Sequence, residues 1–417
     1  MLVKNIYSSI DIGSDTIKIV VCELYKNKLN LLAASSTKSK GIKRGLITDA
    51  SLAKEAIKQC FNEVESILGL KITKVIATIP SYFSEFKIMK DEIRIEHEDN
   101  ELITGSDITK LFKNITKNGI SANNEMVAIL PIDFTVNDKD VVKDPKGMIG
   151  KKLSARAIVA STPRKNILSV VAILEELGVE VVDISISGIS DIYALRDSKI
   201  DEEMGVLINI GYETTTVSVY NKGIIVKNSI IGLGGQNIDN DLSYIYKVNI
   251  SDAIKVKEKL ALAHKMYANV NDTMVLKNVM GDDITLNQYE TSQIVMSRIS
   301  EILELAKKEI NVLSSYEPSY IIVTGGVSNI RQFNLIADEI LGKGTIIGDV
   351  KLLGIRNNKY ITALGSILYF INKTKLKGKD YSMFNHEEVE YISKPQKNNV
   401  ITNDSMIGKV LGYFFNE

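Results

Sequence analysis

A strand–turn–strand pattern occurs twice in this chain, and it constrains the fold more than any other feature of the sequence. In the first copy, apolar strands flank the polar turn at residues 11–18, and in the second they flank the turn at residues 209–216. Internal repeats of this kind reflect duplicated structural units. The repeat therefore predicts two related α/β domains with a ligand bound between them.

The first turn carries residue types that bind phosphate. Gly13 allows backbone amides to approach an anion closely, and Lys18 supplies a positive charge. Asp11 is suited to hold a hydrated Mg²⁺ ion, and Ser14 and Thr16 add hydroxyl groups. Considered alone, the segment is better explained as a β-hairpin with a polar turn, because short motifs often match by chance.

Further segments complete the candidate ligand site. Two facing turns can grip a polyphosphate from both sides, and adjacent glycines after a strand let the backbone lie flat against a ligand. Each segment also has a simpler structural interpretation, since Gly-Gly usually forms a turn and a Lys-Glu-Lys run is usually a solvated helix face. The candidate binding residues in these segments are Asn209, Gly211, Tyr212, Thr214, Thr215, Gly234, Gly235, Lys257, Glu258, Gly325, Gly326 and Val327.

The composition is that of an ordinary globular protein, and it excludes several classes of function. Among the 417 residues, 51 Lys and Arg balance 51 Asp and Glu, so the chain has no net positive charge that would attract nucleic acid. Cys22 and Cys60 fit a reduced cytosolic protein, and the histidines lack metal-ligand spacing. No segment resembles a signal peptide or reaches the roughly 20 apolar residues that span a bilayer. Any membrane contact is therefore expected to be peripheral.

The distribution of polar and apolar residues along the chain predicts its domain organisation. The region before residue 84 predicts a mixed sheet with helices on its faces. Residues 84–157 are more polar and predict a small α+β unit inserted in the first domain, whereas residues 250–319 predict mainly helices. From Lys373 onward, charged residues without periodicity predict a disordered tether.

In this order, the motifs resemble those of the actin-like ATPase superfamily. The shared features are two phosphate turns, a strand–Gly–Gly adenosine motif, and connecting helices at residues 186–196 and 360–369. Residues 257–260 resemble the segment that contacts adenine and ribose in that superfamily. A closer similarity, to the FtsA family of bacterial cell-division proteins, is carried by residues 41–45, 159–163 and 187–195.

The resemblance implies an α/β, actin-like (ribonuclease H-like) fold, with duplicated domains around a nucleotide cleft and an inserted α+β subdomain called 1C. It implies ATP and Mg²⁺ as cofactors. Asp11 is implied to hold the metal ion through a water molecule and also to support the water molecule that attacks the phosphate. The implied boundaries are residues 1–83, 158–198 and 359–372 for subdomain 1A, 84–157 for 1C, 199–240 and 320–358 for 2A, 241–319 for 2B, 373–402 for a disordered linker and 403–417 for an amphipathic membrane-targeting helix.

The same resemblance implies the function and the partners. Members of the family bind ATP, assemble with copies of themselves into filaments, and recruit filaments of the tubulin-like FtsZ to the cytoplasmic face of the cell membrane at the division site. Contact with the C-terminal tail of FtsZ is implied at residues 241–319, and contact with other division proteins at residues 84–157. No nucleic-acid partner is implied.

The C-terminal residues give independent support for membrane attachment. Asn403 can cap a helix there, and a bulky apolar face behind a polar tether favours the membrane interface. Docking on the protein's own body or on a partner is the alternative. Lys409 contributes only about 1 kcal/mol of attraction to lipid. The predicted membrane-facing residues are Met406, Ile407, Val410, Leu411, Phe414 and Phe415.

Two residues depart from the superfamily pattern. Asn209 stands where many of the ATPases carry an aspartate, and an amide cannot take a proton from the attacking water. Tyr212 replaces a glycine, which narrows the pocket. The sequence therefore predicts a protein that binds Mg·ATP but hydrolyses it slowly or not at all.

Other functions within the superfamily fit less well. A PilM-like scaffold for pilus assembly shares the motifs, but the apolar terminal helix weighs against it. A sugar kinase or another small-molecule kinase needs a catalytic base facing a substrate cleft, and the sequence offers no candidate beyond Asp11. A DnaK-type chaperone needs a substrate-binding β-domain, for which the chain after residue 372 leaves no room.

Overall fold

The computed structural model describes residues 4–81, 83–96, 102–117, 119–350, 352–355 and 357–393. In chain order, the elements of its first half are β1 (Asn5–Ile12), β2 (Thr16–Tyr25), β3 (Lys28–Lys38), β4 (Ile42–Lys43), β5 (Leu46–Ile47), α1 (Ala50–Leu68), β6 (Lys74–Ile79), β7 (Glu85–Arg94), α2 (Gly105–Ile115), β8 (Asn124–Val136), β9 (Asp140–Val142), β10 (Lys152–Pro163), α3 (Arg164–Glu176), β11 (Glu180–Ile186) and α4 (Ser187–Leu195).

The elements of the second half follow a short helix, α5 (Ser198–Glu202). They include three 3-10 turns, at Lys265–Tyr267, Gly326–Asn329 and Asn358–Tyr360. The remaining elements are β12 (Met204–Ile210), β13 (Thr215–Asn221), β14 (Ile224–Ile231), α6 (Gly235–Tyr246), α7 (Ile250–Lys259), β15 (Thr273–Lys277), β16 (Asp283–Asn287), α8 (Gln288–Leu313), β17 (Ile321–Thr324), α9 (Phe333–Leu341), β18 (Ile346–Ile347), α10 (Ile361–Leu376) and α11 (His386–Ser393).

The two halves contain sheets of the same topology. The first has the strand order β3-β2-β1-β6-β11 and the second has β14-β13-β12-β17-β18. In each sheet the first three strands pair antiparallel as consecutive hairpins, and the last two pair parallel to their neighbours. Apolar, β-branched strands buried on both faces explain why these sheets form central layers. The duplication expected from the repeated turns is confirmed.

The insert between β6 and α3 is a separate small layer. Its sheet has the order β7-β10-β8-β9, and α2 packs on it through Ile108, Leu111 and Phe112. Thr104 is the N-cap of α2 and forms a reciprocal capping box with Asp107, which satisfies two otherwise free backbone donors. The insert buries its own apolar core and can therefore hold its shape beside the first sheet.

Two helices cross where the halves meet. α4 follows the last strand of the first sheet, and α10 returns from the second half, so both connect the two units. The close crossing depends on Gly365 of α10, which lies against the backbone of Ser190 in α4. Among the described residues, no helix has the length and apolar character that crossing a bilayer requires.

Residues 373–402 were predicted to form a disordered linker, and this prediction is wrong for the start of the range. α10 continues to Leu376, and Met383 and Phe384 are buried against the core of the first half. The amide of Met383 donates to the carbonyl of Ile6 at 2.9 Å. Two apolar side chains thus anchor a stretch whose polar composition indicated disorder. The predicted membrane helix at residues 403–417 lies outside the described residues.

Candidate functional site

The two predicted phosphate turns lie on opposite walls of one cleft of about 650 Å³ between the halves. They have the same hairpin bond, from Gly13 N to the Thr16 carbonyl at 3.2 Å and from Gly211 N to the Thr214 carbonyl at 2.9 Å. The segments at residues 254–261 and 323–328 reach the same cleft. The fold therefore brings together all four motifs that the sequence analysis selected.

The register of the sheets shows which residues of the two turns are equivalent. Asp11 pairs with Lys18 across β1 and β2 and with Thr78 on β6. Asn209 pairs with Thr216 across β12 and β13, and with a threonine on β17. Asn209 thus occupies the place in the second half that Asp11 occupies in the first.

The first turn presents a charged pair to the cleft. The Lys18 Nζ atom lies 2.9 Å from Asp11 Oδ2, and the Thr78 hydroxyl donates to Asp11 Oδ1 at 2.9 Å. Lys18 is buried, so its charge is screened less than that of a surface lysine. Both carboxylate oxygens of Asp11 therefore have protein partners, and its position is fixed toward the cleft.

Next to the second turn, but outside the lining of the cleft, lies a buried carboxylate that sequence reasoning did not assign to the site. Asp191 of α4 accepts from the Asn209 amide at 2.7 Å and from the Thr362 hydroxyl of α10 at 2.6 Å. Burial raises the pKa of Asp191 to about 7, with a further contribution from the Asp11 carboxylate. Asp191 therefore links both connecting helices to the second phosphate turn and orients the Asn209 side chain.

The Gly-Gly motif forms a flat wall of the cleft. Gly325 has a φ of 96°, and an added Cβ there would overlap the carbonyl oxygen of Ile210, which explains the need for glycine. Gly326 has open space where a Cβ would be, so a ligand can approach its backbone. On the neighbouring helix, Lys257 pairs at 2.7 Å with the fully buried Asp239.

Two predicted residues do not line the cleft. Thr215 is buried, and its hydroxyl donates to the Leu233 carbonyl at 2.9 Å. Gly234 is the N-cap of α6, and a Cβ added to it would meet the backbone of Tyr212 at 2.5 Å. Both shape the second turn from behind. The other predicted residues of the four motifs line the cleft, and so does Gly235.

Several lining residues were not among the predicted ones: Asp15 lies within the first turn itself, whereas no local motif marks Lys38 or Lys359. Asp15 pairs with Lys38, whose Nζ atom also lies 5.5 Å from the ring centroid of Tyr212. Lys359 enters from the turn before α10, and burial, together with the nearby Lys18 charge, lowers its pKa. The run of polar residues before α10 was the one available signal for this part of the site.

The arrangement fits a nucleotide polyphosphate. Basic side chains, the two glycine-containing turns and the Gly-Gly wall surround the cleft, and Asp11 supplies an oxygen ligand of the type that hydrated Mg²⁺ prefers. In the described part of the chain, no group of three or more His, Cys, Asp or Glu side chains is arranged to hold a metal ion. A magnesium ion here would therefore depend on Asp11, water and the ligand's own phosphates.

Comparisons with known proteins agree with this geometry. The family model "Cell division protein FtsA" matches residues 206–365, and the model "SHS2 domain inserted in FTSA" matches residues 84–161. The FtsA of Bacillus subtilis is 25% identical over 381 residues, covering 90% of this chain and 86% of that protein. The FtsA of Enterococcus faecalis is 23% identical over 439 residues, covering 100% and 99%.

Solved structures show the same fold at low identity. The PilM–PilN type IV pilus biogenesis complex gives a TM-score of 0.55 at 13% identity, covering 87% of this chain and 98% of that one. MreB5 of Spiroplasma citri bound to ADP gives 0.52 at 14% identity, covering 90% and 99%. The family models cover the insert and most of the second half, and the relatives cover the rest. The chain belongs to the FtsA family of cell-division proteins and has the actin-like fold.

Proposed function

We propose that this chain is an ATP-binding adaptor that assembles into filaments and tethers FtsZ filaments to the cytoplasmic face of the cell membrane at the division site. The observation that carries the proposal is the meeting of the duplicated turns in one polyphosphate-sized cleft, in a chain of the FtsA family. ATP with Mg²⁺ serves as a ligand that holds the halves together. Other division proteins bind at residues 84–157.

ATP is held by the residues of the four motifs that line the cleft. Gly13 and Gly211 bring turn amides to the phosphates, Lys18 adds a cation, and Gly326 offers backbone to the adenosine. Asp11 holds the hydrated metal, and Mg²⁺ when bound neutralises phosphate charge. Lys257 and Glu258 lie on the same cleft, where they contact the adenine and ribose.

Slow hydrolysis follows from Asn209. Its amide is oriented by the buried Asp191, and it cannot accept a proton from water. Because its pKa is raised, Asp191 retains a proton near neutral pH. In the Asn209→Asp variant, this proton can be shared between the two carboxylates. The new carboxylate can then act as a base, which contributes a factor of about 100 or more in favourable cases.

We therefore expect phosphate release by Asn209→Asp to exceed that of the wild type by about 10-fold or more, and that of the wild type to be slow. The measurement is steady-state phosphate release with Mg·ATP. Asn209→Ala is the matched control, because it removes the amide without adding a base. Brisk turnover by the wild type, or equal rates for Asn209→Asp and Asn209→Ala, would contradict this hypothesis.

The FtsZ-contacting surface is proposed on the unit formed by residues 241–319. Apolar side chains are exposed at the end of α6, where Tyr244 is 85% exposed, and in the β15–β16 turn, where Met280 is 72% exposed. The two segments adjoin, since the Val279 amide donates to the Lys247 carbonyl at 2.8 Å. Exposed aromatic and methionine side chains beside a lysine suit an apolar peptide with acidic residues.

The double variant Tyr244→Ala, Met280→Ala is expected to weaken binding of an FtsZ C-terminal tail peptide about 10-fold or more, because buried aromatic anchors dominate such interfaces. Fluorescence anisotropy of a labelled peptide measures the change. Met266→Ala is the control, as Met266 is also 72% exposed in the same unit but lies on the Lys265–Tyr267 turn. Unchanged affinity of the double variant for the peptide would show that FtsZ does not bind at this surface.

Membrane attachment is proposed for residues 403–417. We expect the full chain to sediment with vesicles that contain anionic lipid and a chain ending at residue 402 to remain in the supernatant. Lys409→Ala should retain most of the binding, because one basic residue contributes about 1 kcal/mol. Vesicle binding that survives the truncation would remove the anchor from the proposal.

A further inference from the structure

A buried ion pair lies beside the nucleotide cleft. The Lys257 Nζ atom lies 2.7 Å from Asp239 Oδ1, and the two side chains are 13% and 0% exposed. Asp239 belongs to α6 and Lys257 to α7, so the pair joins two helices. Lys257 lines the cleft, whereas Asp239 does not. Any contact that the pair makes with a bound nucleotide is therefore made by Lys257.

The carboxylate of Asp239 depends on this one partner. Neither of its oxygens accepts a hydrogen bond from any other described residue. Burial raises the pKa of Asp239, the Lys257 charge opposes that shift, and the Asp15 carboxylate adds to it. An enclosed carboxylate without a partner is costly, so the pair holds its two members together. The Lys257 ammonium, which would otherwise move on a flexible stem, is thereby fixed in position.

The pair also connects two parts of the cleft. The Gly235 amide donates to the Gly211 carbonyl at 2.9 Å, which ties the start of α6 to the second phosphate turn. Beyond the end of α7, the Ala263 amide donates to the Arg331 carbonyl at 2.8 Å, which ties that helix to the segment after the Gly-Gly wall. The ion pair thus links the helix at the phosphate turn to the helix beside the wall proposed for the adenosine.

The charge of Lys257 is compensated within the protein. A lysine ammonium has three N–H donors, and one of them suffices for the contact with Asp239. The other donors remain for a ligand, because the Lys257 side chain keeps part of its surface open on the cleft. Since Asp239 cancels the positive charge, Lys257 offers hydrogen bonds rather than a net attraction for phosphate. The uncharged oxygen and nitrogen atoms of a nucleoside are the acceptors that suit such a group.

We propose that Asp239 is a positioning residue for nucleoside recognition. It fixes the Lys257 ammonium and neutralises its charge, and Lys257 then donates to an uncharged acceptor of the ribose or the base. This inference rests on the proposed binding of Mg·ATP, to which it adds a residue that does not touch the ligand. Asp239 and Lys257 should therefore behave as one unit in nucleotide binding.

The test is isothermal titration of Mg·ATP and Mg·ADP into the full chain. Lys257→Met should weaken Mg·ATP binding about 10-fold, because a hydrogen bond from a charged donor is lost. Asp239→Asn should weaken it several-fold, because the ammonium is no longer fixed. The double variant should lose no more than Lys257→Met, since Asp239 acts through Lys257, whereas two independent structural effects would multiply.

The double variant also tests the charge compensation. It removes one charge of each sign and leaves no buried charge unpaired, so it should fold like the wild type. Its loss of affinity should be the same factor for Mg·ATP and Mg·ADP. Asp241→Asn is the matched control and should bind like the wild type. Asp241 lies on the same helix and pairs with Arg298 at 2.6 Å, but it does not line the cleft.

Equal losses in Lys257→Met and the double variant support the inference even where Asp239→Asn alone does not fold. Unchanged or tighter binding by Asp239→Asn, multiplied losses in the double variant, or a larger loss for Mg·ATP than for Mg·ADP would overturn it. Should that occur while Lys18→Ala still weakens Mg·ATP binding, the proposed nucleotide site stands without Asp239. Absence of Mg·ATP binding by the wild type would overturn both.

Discussion

Replacing Lys18 with alanine is expected to weaken Mg·ATP binding by about 10-fold or more, because a hydrogen bond to a charged group contributes about 1.5–3 kcal/mol. The loss has two parts. The ammonium that would meet the phosphates disappears, and Asp11, whose Oδ2 lies 2.9 Å from Lys18 Nζ, is left with an uncompensated charge facing a polyanion. The partly buried setting strengthens both effects.

The measurement is isothermal titration of Mg·ATP into wild type and variant. Lys28→Ala is the matched control, because Lys28 begins β3 of the same sheet but is exposed and does not line the cleft. We expect its dissociation constant to equal that of the wild type. Equal affinities for Lys18→Ala and the wild type would show that the first turn does not contact the phosphates.

The parts of this site that the sequence predicts are those encoded within a few residues. A hairpin places Asp11 opposite Lys18 because the turn between them fixes the register, and the same holds for Asn209 and Thr216. The repeat of this strand–turn–strand pattern predicted the duplicated sheets. Most of the fold could therefore be predicted from the residue types in the turns and the periodicity of the strands.

The parts that escaped prediction depend on contacts between distant segments. Asp191 reaches Asn209 only because α4 and α10 cross at the junction of the halves, and the sequence around it has no motif for a buried carboxylate. The linker was mispredicted for a related reason. Met383 and Phe384 are two apolar residues in a polar stretch, and only the folded core supplies the groove that buries them.

Gly365→Ala is expected to destabilise the chain strongly. In an unconstrained helix interior this change stabilises by up to about 1 kcal/mol. Here the added Cβ would overlap the carbonyl oxygen of Ser190 and lie 2.5 Å from its carbonyl carbon. Backbone cannot move aside as a side chain can, so α4 and α10 must separate, at a cost of about 3 kcal/mol.

Urea unfolding measures the change in free energy, and Gly326→Ala is the matched control because nothing lies within 4 Å of the position of its Cβ. The separation should also break the 2.6 Å contact between Thr362 and Asp191, which ties α10 to α4 beside the second phosphate turn. We therefore expect the folded fraction of Gly365→Ala to bind Mg·ATP more weakly than the wild type. A variant of wild-type stability would show that the two helices are not held as closely as this crossing requires.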